Sequence, residues 1–336
     1  MTRALVIRFS SMGDIILTAP VIRLLSESDP QMTIDYLVHD RYVPLVARFA
    51  PAPHNVLSFP ADVGATQLPA YARQLAASDY DLVIDLHDSL RSKLLRRYFQ
   101  GAELRVYRKP RLRRWMLFYL WLDRFEPDYS VVREYLSAAQ LSAPEAPPRP
   151  QMAVDPQEAG ETLQRFGLQE NYLVCVPGAA WPQKSWLPQR YAELFTGYGA
   201  VSSRRLVLLG GPGDEICDRL AAELPSGVVH NLKGKTTLEE SLSILSHSRL
   251  VIGADTGLVH AGEALGVPAV VILGPTSWQT GARAHHPESR IHEVPLWCRP
   301  CSQNGRRRCY RREQYCLTGT TAQHVAVSVN RILGRA

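Results

Sequence analysis

The sequence predicts an α/β protein with two Rossmann-like, parallel-sheet domains. Short apolar runs recur along the chain between polar or helical segments, which is typical of parallel strands joined by crossover helices. A chain of 336 residues, 46% of them hydrophobic, is long enough for two packed cores. The proline-rich stretch 143–150 marks a stiff linker between them. We therefore expect an N-terminal domain over 1–142, a second domain over 151–320 and a final helix over 321–336.

The first half begins with a strand, a turn and a helix. The strand is predicted over 4–9 and the helix over 15–25, where Pro20 predicts either a kink or a fresh start capped by Thr18. Asp14 lies in the intervening turn, where the positive end of the helix dipole favours an anion. It is therefore either a helix cap or a catalytic base. Further strands of this half are predicted over 33–38, 82–85 and about 105–107.

The second half repeats this alternation of strand, turn and helix, and it contains three polar loops. Strands are predicted over 172–176, 205–209, 228–232, 250–252 and 269–273. The first, second and fourth of them run into glycine-containing turns at 177–180, 210–214 and 253–257. Ligands of open parallel sheets bind beyond the carboxyl ends of the strands, so these loops are expected to line one crevice. The helix that follows the third turn offers backbone N–H groups to a phosphate-bearing ligand.

Three side chains beside these loops are candidates for binding that ligand. Lys184 either places a positive charge on a phosphate or is a solvated surface lysine. Asp255 either caps the following helix or accepts hydrogen bonds from sugar hydroxyls, and His260 lies one helical turn after Thr256. Neither the dinucleotide fingerprint nor the P-loop motif is present. Dinucleotide oxidoreductases and P-loop hydrolases therefore rank lower among the function classes.

The positive charge of the chain is unevenly distributed. The formal net charge is +6, and ten Lys or Arg residues but a single acid, Glu103, lie between Arg91 and Arg114. The aromatic and aliphatic segment 115–122 follows directly. Together they favour docking on an anionic membrane surface, and the alternative is a solvated basic face beside a buried core helix. No apolar run is long enough to span a membrane and the first residues do not resemble a signal peptide, so we expect a cytoplasmic protein.

Four of the six cysteines cluster near the end of the chain. Their spacing allows four thiolates to hold one structural zinc or iron ion, or an iron–sulfur cluster, although it does not match the paired knuckles of a zinc ribbon. The alternative is four reduced thiols, since disulfides are rare in a reducing cytoplasm. We expect a metal site here to lie away from the phosphate-binding loops. The four residues are Cys298, Cys301, Cys309 and Cys316.

Several of these segments occur together, and in the same order, in a known family. They are 8–14, 85–92, the loop at 177–178 with Lys184 and Trp186, 255–260 and 274–276. With them the chain resembles glycosyltransferase family 9, the ADP-heptose:lipopolysaccharide heptosyltransferases, along nearly its whole length. The cysteine cluster is similar to a subset of that family. The resemblance implies a GT-B architecture, in which two Rossmann-like domains face a central cleft, with the acceptor on the N-terminal domain and the nucleotide-sugar on the C-terminal domain.

The resemblance also implies roles for single residues. Asp14 matches the general base that takes the proton of the acceptor hydroxyl. Lys184 matches a catalytic, diphosphate-binding position, so no catalytic metal is expected. The donor-binding residues implied are Gly178, Glu215, Asp255, Thr256, Gly257 and His260. Acceptor binding is assigned to Ser10, Gly13, His87, Arg91, Arg111, Arg113 and Arg114.

The function implied is inverting transfer of heptose from ADP-heptose to a hydroxyl of the lipopolysaccharide inner core, at the cytoplasmic face of the inner membrane. A basic patch suits that phosphorylated and carboxylated acceptor. Within the family, the alternatives are protein O-heptosylation and transfer from another nucleotide-sugar. From a different class, the alternative is a non-catalytic protein that binds ADP or nucleic acid. The basic run and the cysteines lie about two hundred residues apart and match no known nucleic-acid motif, so we expect no nucleic-acid partner.

Overall fold

The computed structural model describes residues 2–64, 66–142 and 144–334, and the chain divides into two compact units. The first unit comprises Met1–Pro110 and Pro127–Ala153, and the second comprises Arg111–Glu126 and Val154–Ala336. Each unit is built around one parallel sheet. The predicted α/β class with two parallel-sheet domains is therefore correct.

The bounds of the elements are as follows. The strands are β1 (Arg3–Ile7), β2 (Thr33–His39), β3 (Asn55–Phe59), β4 (Leu82–Asp85), β5 (Glu103–Val106), β6 (Leu173–Val176), β7 (Leu206–Leu208), β8 (Val229–Asn231), β9 (Val251–Ala254), β10 (Ala269–Leu273) and β11 (Arg290–Glu293). The helices are α1 (Met12–Ile16), α2 (Ala19–Ser28), α3 (Val43–Val46), α4 (Leu68–Ala76), α5 (Leu90–Leu95), α6 (Arg111–Leu120), α7 (Val131–Ala138), α8 (Pro156–Arg165), α9 (Pro188–Gly197), α10 (Gly199–Ser202), α11 (Glu215–Glu223), α12 (Leu238–Ser246), α13 (Gly257–Ala264), α14 (Tyr315–Thr318) and α15 (Ala322–Leu333).

The sheet of the first unit has the strand order β3-β2-β1-β4-β5, and its pairings are parallel. Ile7 at the end of β1 lies opposite Leu37 of β2 on one side and Asp85 of β4 on the other. The chain leaves β1 toward β2 and later returns to the other side of β1 as β4. The strand order therefore reverses between β1 and β4, which is where ligands bind in open α/β sheets.

The sheet of the second unit has the order β11-β10-β9-β6-β7-β8, again with parallel pairings. Its strand order reverses between β6 and β9, where Val176 lies opposite Gly253. A Cβ atom on Gly253 would lie 2.5 Å from the carbonyl oxygen of Val176, so only glycine allows this approach. The loops after β6 and β9 therefore begin side by side at the reversal point of this sheet.

The central strands are apolar because helices cover both faces of each sheet. Every residue of β4, β6, β9 and β10 is buried, which is why their apolar runs are continuous rather than alternating. Trp186 extends the core of the second unit toward the end of the chain. Its side chain is 1% exposed, and its indole N–H donates to the carbonyl oxygens of Leu317 and Thr320 at 3.2 and 3.1 Å. These bonds hold the segment before α15 against the core.

The predicted strands with continuous apolar runs are all present, but two edge strands were not predicted. β3 buries only its last residue, Phe59, and β11 (Arg290–Glu293) buries none of its residues. An edge strand pairs with a neighbouring strand on one side only. Its side chains lie at the rim of the sheet and stay partly exposed, so it needs no continuous apolar run. Of the two outcomes predicted for Pro20, the fresh helix start is correct, since α2 begins at Ala19. Thr18 precedes α2, but its hydroxyl bonds to the carbonyl oxygen of Ile15 rather than capping it.

The domain assignment differs from the prediction at the segment Arg111–Glu126, which belongs to the second unit rather than to 1–142. Phe118 of α6 is buried, and its carbonyl oxygen accepts a hydrogen bond from Arg307 at 3.1 Å. The amide of Gln279 donates to Asp123 at 2.7 Å. Ala143 of the predicted linker and the last two residues of the predicted final helix lie outside the described residues. Among the described residues, none of the helices combines the length and the apolar character needed to cross a bilayer.

Candidate active site

An ion pair joins the two loops at the reversal point of the second sheet. Lys184 follows β6, and its ammonium lies 2.6 Å from Oδ2 of Asp255, the residue after β9. The other carboxylate oxygen of Asp255 lies 3.1 Å from Nε2 of His260 on α13. Thr276, from the loop after β10, donates its hydroxyl to Asp255 at 3.3 Å. The structure thus brings together Lys184, Asp255 and His260, the three side chains proposed from the sequence.

The charges of this group depend on one another. Burial alone would raise the pKa of Asp255, but the Lys184 ammonium and the hydrogen bond with His260 hold it below the usual value. Burial would lower the pKa of His260, and the bond and charge of Asp255 raise it above the usual value instead. The Asp255 side chain is 13% exposed, so water screens these interactions little. Asp255 is therefore a buried anion whose ionised form is stabilised by Lys184 and His260 on either side.

The helix α13 begins directly after this carboxylate. Thr256 takes the N-cap position, but its hydroxyl makes no capping hydrogen bond and lies buried without a partner among the described residues. The first N–H groups of α13, from Gly257 onward, lack intrahelical acceptors. The turn at 255–257 therefore combines unused donors with the positive end of a helix dipole, which is the arrangement that binds phosphate groups.

Glu263 is a further buried residue behind this group, and the sequence analysis missed it. One oxygen of Glu263 accepts the backbone N–H groups of His285 and His286 at 2.9 and 3.1 Å. The other lies 3.9 Å from Nδ1 of His260. Burial, together with the charges of His260 and Arg283, lowers the pKa of His285 to about 3, so this imidazole is neutral. No local pattern marks Glu263, because its partners come from a loop twenty residues later.

The loop after β7 reaches the same region through Asp214. Its Oδ2 accepts the backbone N–H of Gly211 at 2.7 Å, and a Cβ atom on Gly178 would lie 2.5 Å from its Oδ1. Gly178 is therefore required for close packing of the loops after β6 and β7. Glu215, the predicted nucleoside-binding residue, lies exposed in the first turn of α11. The carboxylate that faces Gly178 is its neighbour Asp214.

In the first unit, Asp14 lies at the start of α1 beside the reversal point between β1 and β4. Its Oδ2 lies 2.7 Å from the Arg8 guanidinium and accepts the hydroxyl of Ser11 at 2.7 Å. Arg8 is 3% exposed, and it also donates to the carbonyl oxygen of Leu86 at 2.6 Å. Burial would lower the pKa of Arg8, but the Asp14 charge keeps it above the usual value. The Asp14 side chain remains 33% exposed, so its carboxylate is accessible to a ligand.

The loop after β4 lies next to this pair. His87 packs its ring against Phe9, with 5.1 Å between the ring centroids. Burial, and then the charges of Arg8 and Lys109, lowers the pKa of His87 to about 3, so its ring is neutral. Asp85 holds the loop by accepting the N–H groups of His87 and Asp88 and pairing with Arg96 at 2.8 Å. Ser10 and Gly13 lie in the 8–14 segment of the same region, whereas Arg91 is exposed on α5.

The predicted basic patch is divided between the two units. Arg96, Arg105 and Lys93 lie in the first unit and pair with Asp85, Glu103 and Asp88, at 2.8, 2.7 and 3.5 Å. Their charges are therefore partly neutralised. Arg111, Arg113 and Arg114 lie on α6 in the second unit. This corrects their assignment to the N-terminal domain that was expected to hold the acceptor.

The α6 surface carries aromatic side chains as well as arginines. Leu112, Trp115 and Tyr119 are 69%, 50% and 56% exposed, and the rings of Trp115 and Tyr119 stack with 6.3 Å between centroids. Leu117 and Phe118 are buried on the other face. The membrane-docking interpretation of 115–122 therefore describes the exposed face of α6, and the core-helix interpretation describes its buried face.

The four clustered cysteines line one small cavity of the second unit. All four are free thiols. Burial, together with Cys316, Cys298 and Cys309, raises the pKa of Cys301 to about 11, so this thiol is protonated near neutral pH. Within the part of the chain that the structure describes, no three His, Cys, Asp or Glu side chains are placed to hold a metal ion. The expected structural zinc, iron or iron–sulfur cluster stays a prediction.

The expectation that this cluster lies away from the phosphate-binding loops is wrong. The backbone N–H of Cys301 donates to the carbonyl oxygen of Pro275 at 3.1 Å, and Thr276, the next residue, contacts Asp255. Gln314 donates to the carbonyl oxygen of Gln183 at 2.6 Å. The residue before Lys184 and the loop that supplies Thr276 to Asp255 are thus both bonded to the cysteine-containing segment.

The His260–Asp255 pair predicts a pH-dependent contribution to stability. Because the pKa of His260 is raised in the folded protein, the pair stabilises fully below the unfolded-state value of about 6.5 and loses this effect as pH rises through the raised value. We expect His260→Gln to lower the free energy of unfolding by about 1.5–3 kcal/mol at pH 6 and by less at pH 9. Urea denaturation at both values measures this, with the exposed His324→Gln as control. An equal loss at both pH values contradicts the assignment.

The family model of glycosyltransferase family 9 (heptosyltransferase) matches residues 69–310. Lipooligosaccharide heptosyltransferase 2 of Haemophilus influenzae is 29% identical over 82% of this chain and 84% of its own length. Lipopolysaccharide heptosyltransferase 1 of Pseudomonas aeruginosa is 26% identical, with 98% of both chains covered.

A solved structure shows the same fold. The ADP-heptose lps heptosyltransferase II of E. coli superposes with a TM-score of 0.79 at 22% identity, and 99% of each chain is covered. This likeness confirms the predicted GT-B fold class. The family model covers more than half of the residues, including the 255–260 turn and the Lys184 loop. The protein therefore belongs to glycosyltransferase family 9, the heptosyltransferases, and is a sugar-transferring enzyme.

Proposed function

We propose that this enzyme transfers heptose from ADP-heptose to a hydroxyl of the lipopolysaccharide inner core, with inversion at the anomeric carbon. The observation that carries the proposal is the Asp14 carboxylate, which is partly exposed and lies 2.7 Å from the guanidinium of the buried Arg8. The names of the relatives support the donor and the acceptor, since they are lipooligosaccharide and lipopolysaccharide heptosyltransferases and one is named for ADP-heptose.

Asp14 is the general base in this proposal. The acceptor oxygen forms a bond to the anomeric carbon, its proton passes to Asp14, and the bond from that carbon to the diphosphate oxygen breaks with its electron pair leaving on ADP. A single in-line displacement of this kind inverts the anomeric centre. Arg8 and Ser11 fix the orientation of the carboxylate. The neutral ring of His87 adds no competing positive charge beside it.

The donor diphosphate is assigned to the loops after β6 and β9. Lys184 supplies an ammonium, and the start of α13 at Thr256 and Gly257 supplies backbone donors that stabilise charge on the departing diphosphate. Asp255 holds both Lys184 and His260 in place and accepts hydrogen bonds from sugar hydroxyls. Since these groups neutralise the phosphates directly, the proposal includes no catalytic metal.

The enzyme is further proposed to dock on the cytoplasmic face of the inner membrane through α6. Arg111 and Arg113 are exposed beside Leu112, Trp115 and Tyr119. Arginines attract anionic headgroups, and aromatic side chains favour the bilayer interface. A lipid-linked, phosphorylated acceptor lies at such a surface.

Asp14→Asn is expected to abolish transfer and to leave ADP affinity unchanged, because the base acts on the acceptor and not on the diphosphate. Positioned base catalysis contributes about 10²–10⁴-fold, so turnover should fall by at least the lower figure. The control is Asp40→Asn, an exposed carboxylate after β2 of the same sheet. If the Asp14→Asn enzyme keeps more than about a tenth of wild-type turnover, Asp14 acts only as a helix cap and not as the base.

Replacing Arg111, Arg113 and Arg114 by Ser is expected to weaken association with anionic vesicles and to spare ADP affinity. At about 1 kcal/mol per basic residue, the partition coefficient should fall by roughly 100-fold at low salt and by less at high salt. Sedimentation with phosphatidylglycerol vesicles measures this. The control removes the same charge from exposed sites elsewhere in this unit, with Arg219, Arg249 and Arg331 replaced by Ser. Equal sedimentation of both variants excludes the docking role.

The structural metal is tested with Cys301→Ser. If the four thiols hold one ion, this change should lower metal content and melting temperature together, because binding energy of the ion is folding energy. The control is Cys217→Ser, a buried cysteine outside the cluster, which should leave metal content unaltered. Anaerobically purified wild-type protein without stoichiometric zinc or iron shows that the four residues are plain reduced thiols.

A further inference from the structure

The loop between Cys301 and Cys309 packs directly against the proposed diphosphate-binding lysine. Gly305 of this loop is buried and has a φ angle of +82°. A Cβ atom on Gly305 would lie 2.4 Å from Cγ of Lys184 and 3.3 Å from Cβ of Trp181. The backbone therefore requires glycine here for two reasons, its left-handed conformation and its contact with the Lys184 stem.

Hydrogen bonds fix the position of this turn. The N–H groups of Cys301 and Ser302 both donate to the carbonyl oxygen of Pro275, at 3.1 and 3.2 Å. The buried hydroxyl of Ser302 accepts the N–H groups of Gly305 and Arg307, at 3.0 and 3.3 Å. The turn is thus anchored to the loop after β10, which also supplies Thr276 to the Asp255 carboxylate.

Arg299 holds that same loop from the other side. Its guanidinium donates to the carbonyl oxygens of Gly274 at 2.6 Å, Val294 at 2.9 Å and Thr276 at 3.2 Å, and it pairs with Glu293 at 2.9 Å. Since the Arg299 side chain is only 8% exposed, this network is shielded from water. The support for the turn at Gly305 is therefore rigid rather than a loose surface contact.

The next residue, Arg306, places a second cation against the turn that carries Lys184. Its guanidinium carbon lies 5.5 Å from the ring centroid of Trp181, and Trp181 belongs to the turn that ends at Lys184. Arg306 is exposed and makes no ion pair within the residues that the structure describes. Lys184, in contrast, is already paired with Asp255 at 2.6 Å. Arg306 thus retains its charge for a ligand.

The charge of the ligand calls for such a residue. Both phosphates of a nucleotide-sugar are ionised near neutral pH, whereas the Lys184 ammonium is already paired with Asp255. The charge of Lys184 is therefore partly neutralised by Asp255 before a ligand binds. Arginine also offers a planar fork of donors that matches two phosphate oxygens at once, which a lysine does not.

We propose that Arg306 is a second diphosphate-binding residue of the donor site, held in place by Gly305 against Lys184 and by the face of Trp181. The proposal rests on the proposed ADP-sugar donor. It assigns the cysteine-containing loop to substrate binding as well as to structure. Trp181 acts as a positioning residue, because its ring orients the guanidinium by a cation–π contact.

The test compares the dissociation constants of ADP and AMP, measured by calorimetry, for wild type, Arg306→Ala and Arg308→Ala. Arg308 is exposed in the same loop and is the matched control. Losing a charge-assisted contact to the diphosphate should weaken ADP binding by about 10-fold or more. In Arg306→Ala the affinity for AMP should fall much less, so the preference for ADP over AMP becomes smaller. Arg308→Ala should leave both dissociation constants within about twofold of wild type.

A second variant separates binding from loop structure. Trp181→Leu should weaken ADP binding in wild type but add little in the Arg306→Ala background, because its effect passes through the guanidinium. If wild type binds ADP and Arg306→Ala binds it equally well, the role of Arg306 is excluded while the proposed donor stands. If wild type binds no ADP at all, the proposed donor fails as well. If Arg306→Ala and Arg308→Ala weaken ADP binding equally, the effect is a general attraction between charges. That result overturns the specific site at Arg306.

Discussion

The reversal of strand order in each parallel sheet is the constraint on which both candidate sites depend. Parallel strands place their carboxyl ends at one edge, and the loops diverge only where the order reverses. In the second unit this point lies between β6 and β9, and it brings Lys184 to Asp255 although they are distant in sequence. In the first unit it lies between β1 and β4, and it brings Arg8 to the carbonyl oxygen of Leu86. The side chains of each site are therefore gathered by topology rather than by local sequence.

The buried charges at these points are better explained by function than by stability. The free energy needed to remove two charges from water is about as large as the free energy gained from their attraction. A buried ion pair is therefore weak evidence for stabilisation. Asp255 has three partners, Lys184, His260 and Thr276, which together satisfy its carboxylate. Their positions are fixed before a ligand arrives, and such preorganisation lowers the free energy needed to stabilise new negative charge. The Arg8–Asp14 pair has the same character, with the arginine buried and the carboxylate accessible.

The parts of the fold that the sequence predicted are those with local patterns. Strands such as β6, β9 and β10 are buried on both faces, so continuous apolar runs mark them. The edge strand β11 lacks that pattern because it needs no buried face. The turns at 177–180 and 253–257 were recognised because glycine permits close approach, as at Gly253. The assignment of the segment Arg111–Glu126 failed because its partners, Arg307 and Gln279, follow it by more than a hundred residues.

The same distinction holds for the candidate site. Asp14, Lys184, Asp255 and His260 stand out because each lies in a loop after a strand or in the first turn of a helix. Glu263 and Arg299 do not, because their roles consist of bonds to backbone groups of distant loops. The resemblance to a family pointed to residues near Glu263 and Arg299, but not to these two residues themselves. Supporting residues of this kind become visible only when the chain is folded.

The contact between Gly305 and Lys184 joins the chemistry of the cysteines to that of the donor loops. Burial and the neighbouring thiols raise the pKa of Cys301 to about 11, so a metal ion that bound there would have to displace protons, and its affinity would rise with pH. The turn at Gly305 lies between Cys301 and Cys309 and against Lys184. A ligand that orders this loop and thereby changes diphosphate affinity at the proposed donor site is coupled to it. By thermodynamic reciprocity, a diphosphate bound at the proposed site then changes the affinity of the loop for that ligand by the same factor.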